Sequence, residues 1–259
     1  MENKNIIPQI VAVLLCILSL AGLLFQSAFY PMQDLQRTFV SNDVVNLLIG
    51  LPALLIPLAL VRRENMMGVL LLPGALLYVT YNYLAYSFAS WLSLPTFFYL
   101  ALVGLSVFGF VQCLANLDIH NIQQQLHGAV PARFAGGVLT VFGLLFFFRG
   151  VGQVYSTMIN SASLITPEMS VVYADMLITP LWILGGLALW RRGAWGTAMG
   201  TGLLFQASLL FVGLLVFFAL QPVLLGGIFP AVDFGVIAFM GLFFFIPFGQ
   251  FVKGILRLT

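Results

Sequence analysis

Charge is what this 259-residue chain most lacks: Asp, Glu, Lys and Arg together make up 7% of it. Soluble domains carry about 25%, so a water-facing surface cannot be built from these residues, and lipid must solvate most of the chain. Cysteine and histidine are scarce too, with two of each. Cys16 and Cys113 lie in apolar runs without a CxxC or a metal-ligand spacing, and they read as small buried hydrophobes. His120 and His127 are two helical turns apart, on the order of 10 Å, too far to share one ion in a helix, so no metal site is expected. There is no GxGxxG, P-loop or HExxH motif. Neither histidine is placed to complete a Ser-His-Asp set or to ligate haem within the membrane. Lys253 sits at a span end, which argues against a mid-helix retinal Schiff base. Without a soluble domain, ATP-driven work by this chain alone is excluded. A formal charge of +2 argues against nucleic-acid binding. No cofactor is expected, and the chain leans away from being an enzyme.

What the chain has is apolar length: 61% hydrophobic residues, 25 of them Phe. A spanning helix needs about 20 mostly apolar residues. Eight segments qualify, at roughly 6–30, 44–61, 67–89, 95–115, 135–158, 171–190, 197–219 and 232–252. The first is longer than the 7–15 residues of a signal h-region, so it reads as a retained span. With the N-terminus inside, Lys4, Arg62, Arg63, Arg133, Arg191, Arg192, Lys253 and Arg257 all fall on the cytoplasmic side, as the positive-inside rule requires. A prokaryotic inner membrane with both termini cytoplasmic is the expectation.

The chain also repeats. Arg62-Arg63 returns 129 residues later as Arg191-Arg192, each pair closing an apolar stretch that opens near an Asp (Asp43, Asp175) and contains a Pro (Pro52, Pro180). A Gly follows each pair, Gly68 and Gly196. The fold class expected is therefore all-α and polytopic: eight transmembrane helices arranged as two four-helix repeats of the same orientation, 1–115 and 135–259. Parallel repeats are related by an axis along the membrane normal. The joint, 116–134, is a cytoplasmic linker. There Ile119, Ile122 and Leu126 share one helical face and Leu117 does not fit it, which predicts a brief interfacial helix.

Polar residues inside the spans concentrate in the outer half. Intramembrane charge is costly, about 2.5–3.5 kcal/mol by insertion scales, and demands a partner or a wet cavity. Arg149 follows three phenylalanines about two-thirds of the way out through the fifth span; Asp175, Asp43 and Asp233 are its candidate partners. The three aspartates fall at outer helix starts, where a carboxylate would also cap the helix and complement its dipole. In the third span Tyr78, Asn82 and Tyr86 recur every four residues, with Tyr81 beside them, so one face offers hydroxyl, amide and hydroxyl. Gln153 lies one turn beyond Arg149. The seventh span keeps only Gln206 and Ser208 in the corresponding stretch, and the first span has no match for Arg149.

Several of these runs, DVVNL over 43–47, the first Arg pair, GALLYVTYNYLAYSF over 74–88, the stretch 175–180 and WRRGAWG over 190–196, resemble a group of uncharacterised prokaryotic multi-pass membrane proteins. The second half is similar in helix rhythm and Arg pair to DoxX-like four-helix proteins, some of which are redox subunits. Neither resemblance supplies functional residues. The leading functional expectation is a protein that binds or transports a small amphipathic or anionic ligand in an outward-facing cavity lined by Arg149, Asp175, Asp43, Tyr78, Asn82, Tyr86, Gln153 and Asp233. The alternatives are a membrane subunit of a quinone- or lipid-linked complex, and an assembly protein whose polar residues are glue only. Expected partners are membrane lipid, a small molecule or quinone, and a second copy or another membrane protein.

Overall fold

The structure, a computed structural model, describes residues 6–89, 93–126, 128, 130–226 and 228–257; Lys4 and His127 lie outside them. The chain is an all-α polytopic membrane protein. Among the described residues, eight helices are long and apolar enough to cross a bilayer. They are α1 (Ile6–Leu24), the continuous rod of α3 (Gln33–Val45), a π-turn (Asn46–Gly50) and α4 (Leu51–Arg62), then α5 (Met66–Ala89), α6 (Leu94–Ala115), α8 (Ala132–Ile159), α9 (Pro167–Trp190), α10 (Ala194–Leu225) and α11 (Ala231–Leu256). Two short helices complete the set, α2 (Gln26–Phe29) and α7 (Ile119–Leu126).

Several boundaries differ from the sequence expectation. The first span ends at Leu24 and α2 follows separately. The second span starts at Gln33, ten residues before Asp43, because the polar stretch Gln33–Asn42 can be helical once it leaves the hydrocarbon. The α9 helix likewise starts at Pro167, where the Thr166 hydroxyl accepts from the Met169 N–H at 3.1 Å. Asp43 and Asp175 therefore lie well inside their helices and cap nothing, while Asp233 is in the first turn of α11.

The α5 helix is the axis of the bundle. It is buried almost throughout and packs against α4, α6, α9 and α10. It can be central because Gly74 lets α10 touch its backbone: a Cβ on Gly74 would collide with the main chain of Gly202. Along α8, Gly136, Gly143 and Gly150 recur every seven residues, and each faces α9 so closely that an added Cβ would stand 2.5–2.8 Å from its atoms. A strict seven-residue seam of this kind gives a left-handed crossing. Phe142, Phe146, Trp182, Phe211 and Phe244 fill the space enclosed by α8, α9, α10 and α11.

The two turns that carry the arginine pairs are built alike. Glu64 and Arg192, 128 residues apart, both adopt the left-handed conformation, at φ 57° and 56°. The Glu64 N–H donates to Val61 O as the Arg192 N–H donates to Leu189 O, and Asn65 to Leu60 O as Gly193 to Ala188 O. Gly68 and Gly196 press on equivalent backbone nitrogens of these turns, those of Val61 and Leu189. The local register is thus 128 residues, one fewer than the spacing of the arginine pairs themselves. The linker forms the expected short helix: in α7, Ile122 and Leu126 are buried in a cluster with Met67, Leu70, Ala198 and Ile255. Leu117 and Ile119 pack at the rim of this cluster, so Leu117 joins the apolar side after all, through the turn before the helix. Gln123 Nε2 donates to Arg192 O at 2.8 Å, tying α7 to the second Arg turn.

Candidate functional site

The polar residues of the half opposite the arginine turns form two stations, both gripped by tyrosines of α5. At the first, Asp43 on α3 is 1% exposed. Tyr30 Oη donates to its Oδ2 at 2.6 Å and Tyr86 Oη to its Oδ1 at 2.8 Å. Asn42 Nδ2 donates to Tyr86 Oη at 3.2 Å and to Asn82 Oδ1 at 3.3 Å, and Asn46 Nδ2 to Tyr86 Oη at 3.4 Å. Asn82 Nδ2 turns back to Tyr78 O at 3.0 Å. Among the described residues, Asn46 Oδ1 is buried without a hydrogen-bond partner. The site owes its depth to Gly22 of α1, where a Cβ would collide with Asp43 and Tyr30. The π-turn inserts a residue into the helix about one turn after Asp43, at Asn46–Gly50; such insertions recur at functional sites.

The second station joins α5, α8 and α9. Tyr81 Oη donates to Asp175 Oδ1 at 2.9 Å, and Arg149 Nη2 meets Asp175 Oδ2 at 3.2 Å. Arg149 also lies 5.8 Å from the centre of the Phe146 ring. The Asp175 side chain is 15% exposed and that of Arg149 52%. The rest of the guanidinium thus faces outward from the bundle, and its remaining donors bond to nothing among the described residues.

The residues expected to line one cavity are therefore divided. Asp43, Asn82 and Tyr86 come together at the first station, Arg149 and Asp175 at the second. Tyr78 is wedged between Gly50 and Gly213, holding α5 against the π-turn and α10. Gln153 accepts from the Thr157 hydroxyl only through its backbone carbonyl, at 2.8 Å. Asp233 is exposed at the start of α11. Tyr30, Asn42 and Tyr99 escaped the sequence reading. Asn42 could have been found from its place beside Asp43; Tyr30 and Tyr99 reach the site only through the folding back of α2 and α6. Two shallow clefts, one between α5, α6 and α10 and one beside α7 and Arg192, lie toward the arginine turns, away from both stations. Among the described residues, no group of three His, Cys, Asp or Glu could hold a metal ion. Compared with family models, curated proteins and solved structures, the chain matches none.

Proposed function

We propose that this protein binds a small amphipathic anion or carbonyl compound at the Arg149 station, reached sideways from the lipid. The observation that carries the proposal is the half-exposed guanidinium. Arg149 lies about 24 Å along α8 from Arg133 at 1.5 Å per residue, inside a hydrocarbon core about 30 Å thick. Donors at that depth without acceptors are costly. Asp175, fixed by Tyr81, neutralises the arginine and aims it but occupies only one nitrogen. A carboxylate, phosphate or carbonyl headgroup would satisfy the others, and its tail would lie along the exposed Phe148 and its neighbours. A quinone would fit the same description through its carbonyl oxygens.

In this reading the arginine turns face the cytoplasm of a prokaryotic cell, since Arg62, Arg63, Arg133, Arg191, Arg192, Lys253 and Arg257 share one end, and the ligand arrives from the outer leaflet. The matched turns support descent from two same-sense four-helix units. The test is binding of a fluorescent long-chain carboxylate to the protein in lipid nanodiscs, against the corresponding alcohol. Loss of a charge-assisted bond of about 1.5–3 kcal/mol predicts that Arg149→Gln weakens the carboxylate by roughly tenfold to a hundredfold and leaves the alcohol unchanged. Equal carboxylate affinity in the variant and the parent would refute the proposal and leave the station as interhelical glue.

A further inference from the structure

Among the described residues, Asp43 has no counter-ion. The elements around it, α1, the π-turn, α4 as far as Val61, α5, α6 and α10, carry no Asp, Glu, Lys, Arg or His in their described lengths. The titratable groups that face it are the phenols of Tyr30, Tyr83, Tyr86 and Tyr99. On its own helix Asp34 and Arg37 are exposed, two turns or so toward the helix end. On α9, Asp175 is engaged by Arg149 and Tyr81, Tyr173 donates to Leu164 O at 2.9 Å, and Glu168 is exposed.

We infer that Asp43 is a reversible proton-binding site, loaded from the aqueous end of α3 past the half-buried Asn42, with Tyr86 as the hydroxyl that reorients as the proton comes and goes. The carboxyl of Asp43 has hydrogen-bond partners in both states without moving a heavy atom. With Asp43 ionised, Tyr30 and Tyr86 each donate to one carboxylate oxygen, and Tyr86 Oη accepts the amides of Asn42 and Asn46. When a hydronium delivers a proton, one O–H bond forms at Asp43 Oδ1 and a water is released. The new hydroxyl donates to Tyr86 Oη across the same 2.8 Å, and the Tyr86 proton turns to Phe39 O, 3.4 Å away. Asn42 then keeps its bond to Asn82 Oδ1, so Tyr86 Oη accepts two bonds, which is its capacity. A structural pin would need only one of these arrangements; this set of partners provides both, with Phe39 O, a helix carbonyl that keeps a lone pair free, taking the Tyr86 proton in the loaded state.

The experiment is infrared difference spectroscopy of the full chain in nanodiscs, titrated with acid and base, with aspartate labelled with 13C at the carboxyl. The expected result is a carboxylic-acid carbonyl band that appears and disappears reversibly, carries the aspartate isotope shift, vanishes in Asp43→Asn and persists in Asp175→Asn. In Tyr86→Phe the same band shifts in frequency, because its acceptor is gone; this variant keeps the inference testable if Asp43→Asn does not fold. A spectrum with no titrating carboxyl band, a band indifferent to both Asp43→Asn and Tyr86→Phe, or one that follows sodium at fixed pH would overturn the inference. None of these readouts depends on ligand binding at Arg149, so the two proposals stand or fall separately.

Discussion

Replacing one tyrosine hydroxyl at each station should expose how differently the two carboxylates are supported. Tyr86→Phe keeps the ring and its packing between Phe39, Tyr83 and Tyr99, so no cavity opens and the loss is confined to hydrogen bonds. Asp43 Oδ1 loses its hydrogen bond, and the Asn46 amide, whose carbonyl oxygen is already unpartnered, loses its bond as well. Asn42 retains Asn82. Two orphaned buried groups at about 1–3 kcal/mol each set the upper range. Interhelical bonds measured inside membranes average about 0.6 kcal/mol, with a maximum near 1.7, which sets the lower. The expected loss is about 2–3 kcal/mol, between these bounds. Tyr81→Phe removes a single bond from Asp175, which keeps Arg149 and has some access to its surroundings; about 0.5–1 kcal/mol is expected. Reversible unfolding in bicelles by SDS titration, or steric trapping, measures both. Equal losses, or a larger one for Tyr81→Phe, would show that Asp43 is not held by the hydroxyl network described and would remove the physical basis for treating the two stations differently.

Other expectations follow from close contacts. Gly74→Ala drives a methyl into the Gly202 backbone and should cost about 1–3 kcal/mol by overpacking. Gly202→Ala, whose nearest obstacle is Leu70 O at 3.1 Å, should cost less, and Gly104→Ala, with nothing within 4 Å, should stabilise by up to about 0.5–1 kcal/mol; the same unfolding assay ranks them, and a different order would contradict the α5–α10 crossing. Glu64→Gly and Arg192→Gly each relieve a left-handed backbone worth about 1–2 kcal/mol, offset by about 0.5–1 of glycine entropy. Both should therefore raise stability slightly and by similar amounts. Opposite signs would break the likeness of the two turns. Gly143→Leu should separate α8 from α9 and pull Arg149 from Asp175, weakening carboxylate binding in the nanodisc assay while Gly137→Leu, which has only Trp190 ring atoms at 3.4 Å or more, leaves it intact.

Much of this protein was legible in one dimension because the bilayer is a demanding solvent. Scarce charge and apolar runs of about 20 residues admit one solution, helices that satisfy their own backbone. The eight spans, and the polar residues gathered in one half of them, follow from that without any knowledge of packing. The short α7 was readable from the period of Ile119, Ile122 and Leu126, and the Gly136, Gly143, Gly150 seam could have been read the same way. Helix starts were less legible, since Gln33–Asn42 is polar and a hydropathy pattern stops where the hydrocarbon does, although the helix continues. This is why Asp43 and Asp175 looked like caps. What only tertiary structure decided is who meets whom. A single file of residues ranks Arg149, Asp175 and Asp43 by depth, and depth alone suggested one shared cavity. Partner choice depends instead on which helix is central. Because Gly74 and Gly202 let α5 and α10 touch, the tyrosines of α5 stand between the two carboxylates. Tyr86 takes Asp43, Tyr81 takes Asp175, and the arginine is left facing out. Backbone approach at glycines is a three-dimensional property, and it set the division between a sealed acid and an open base.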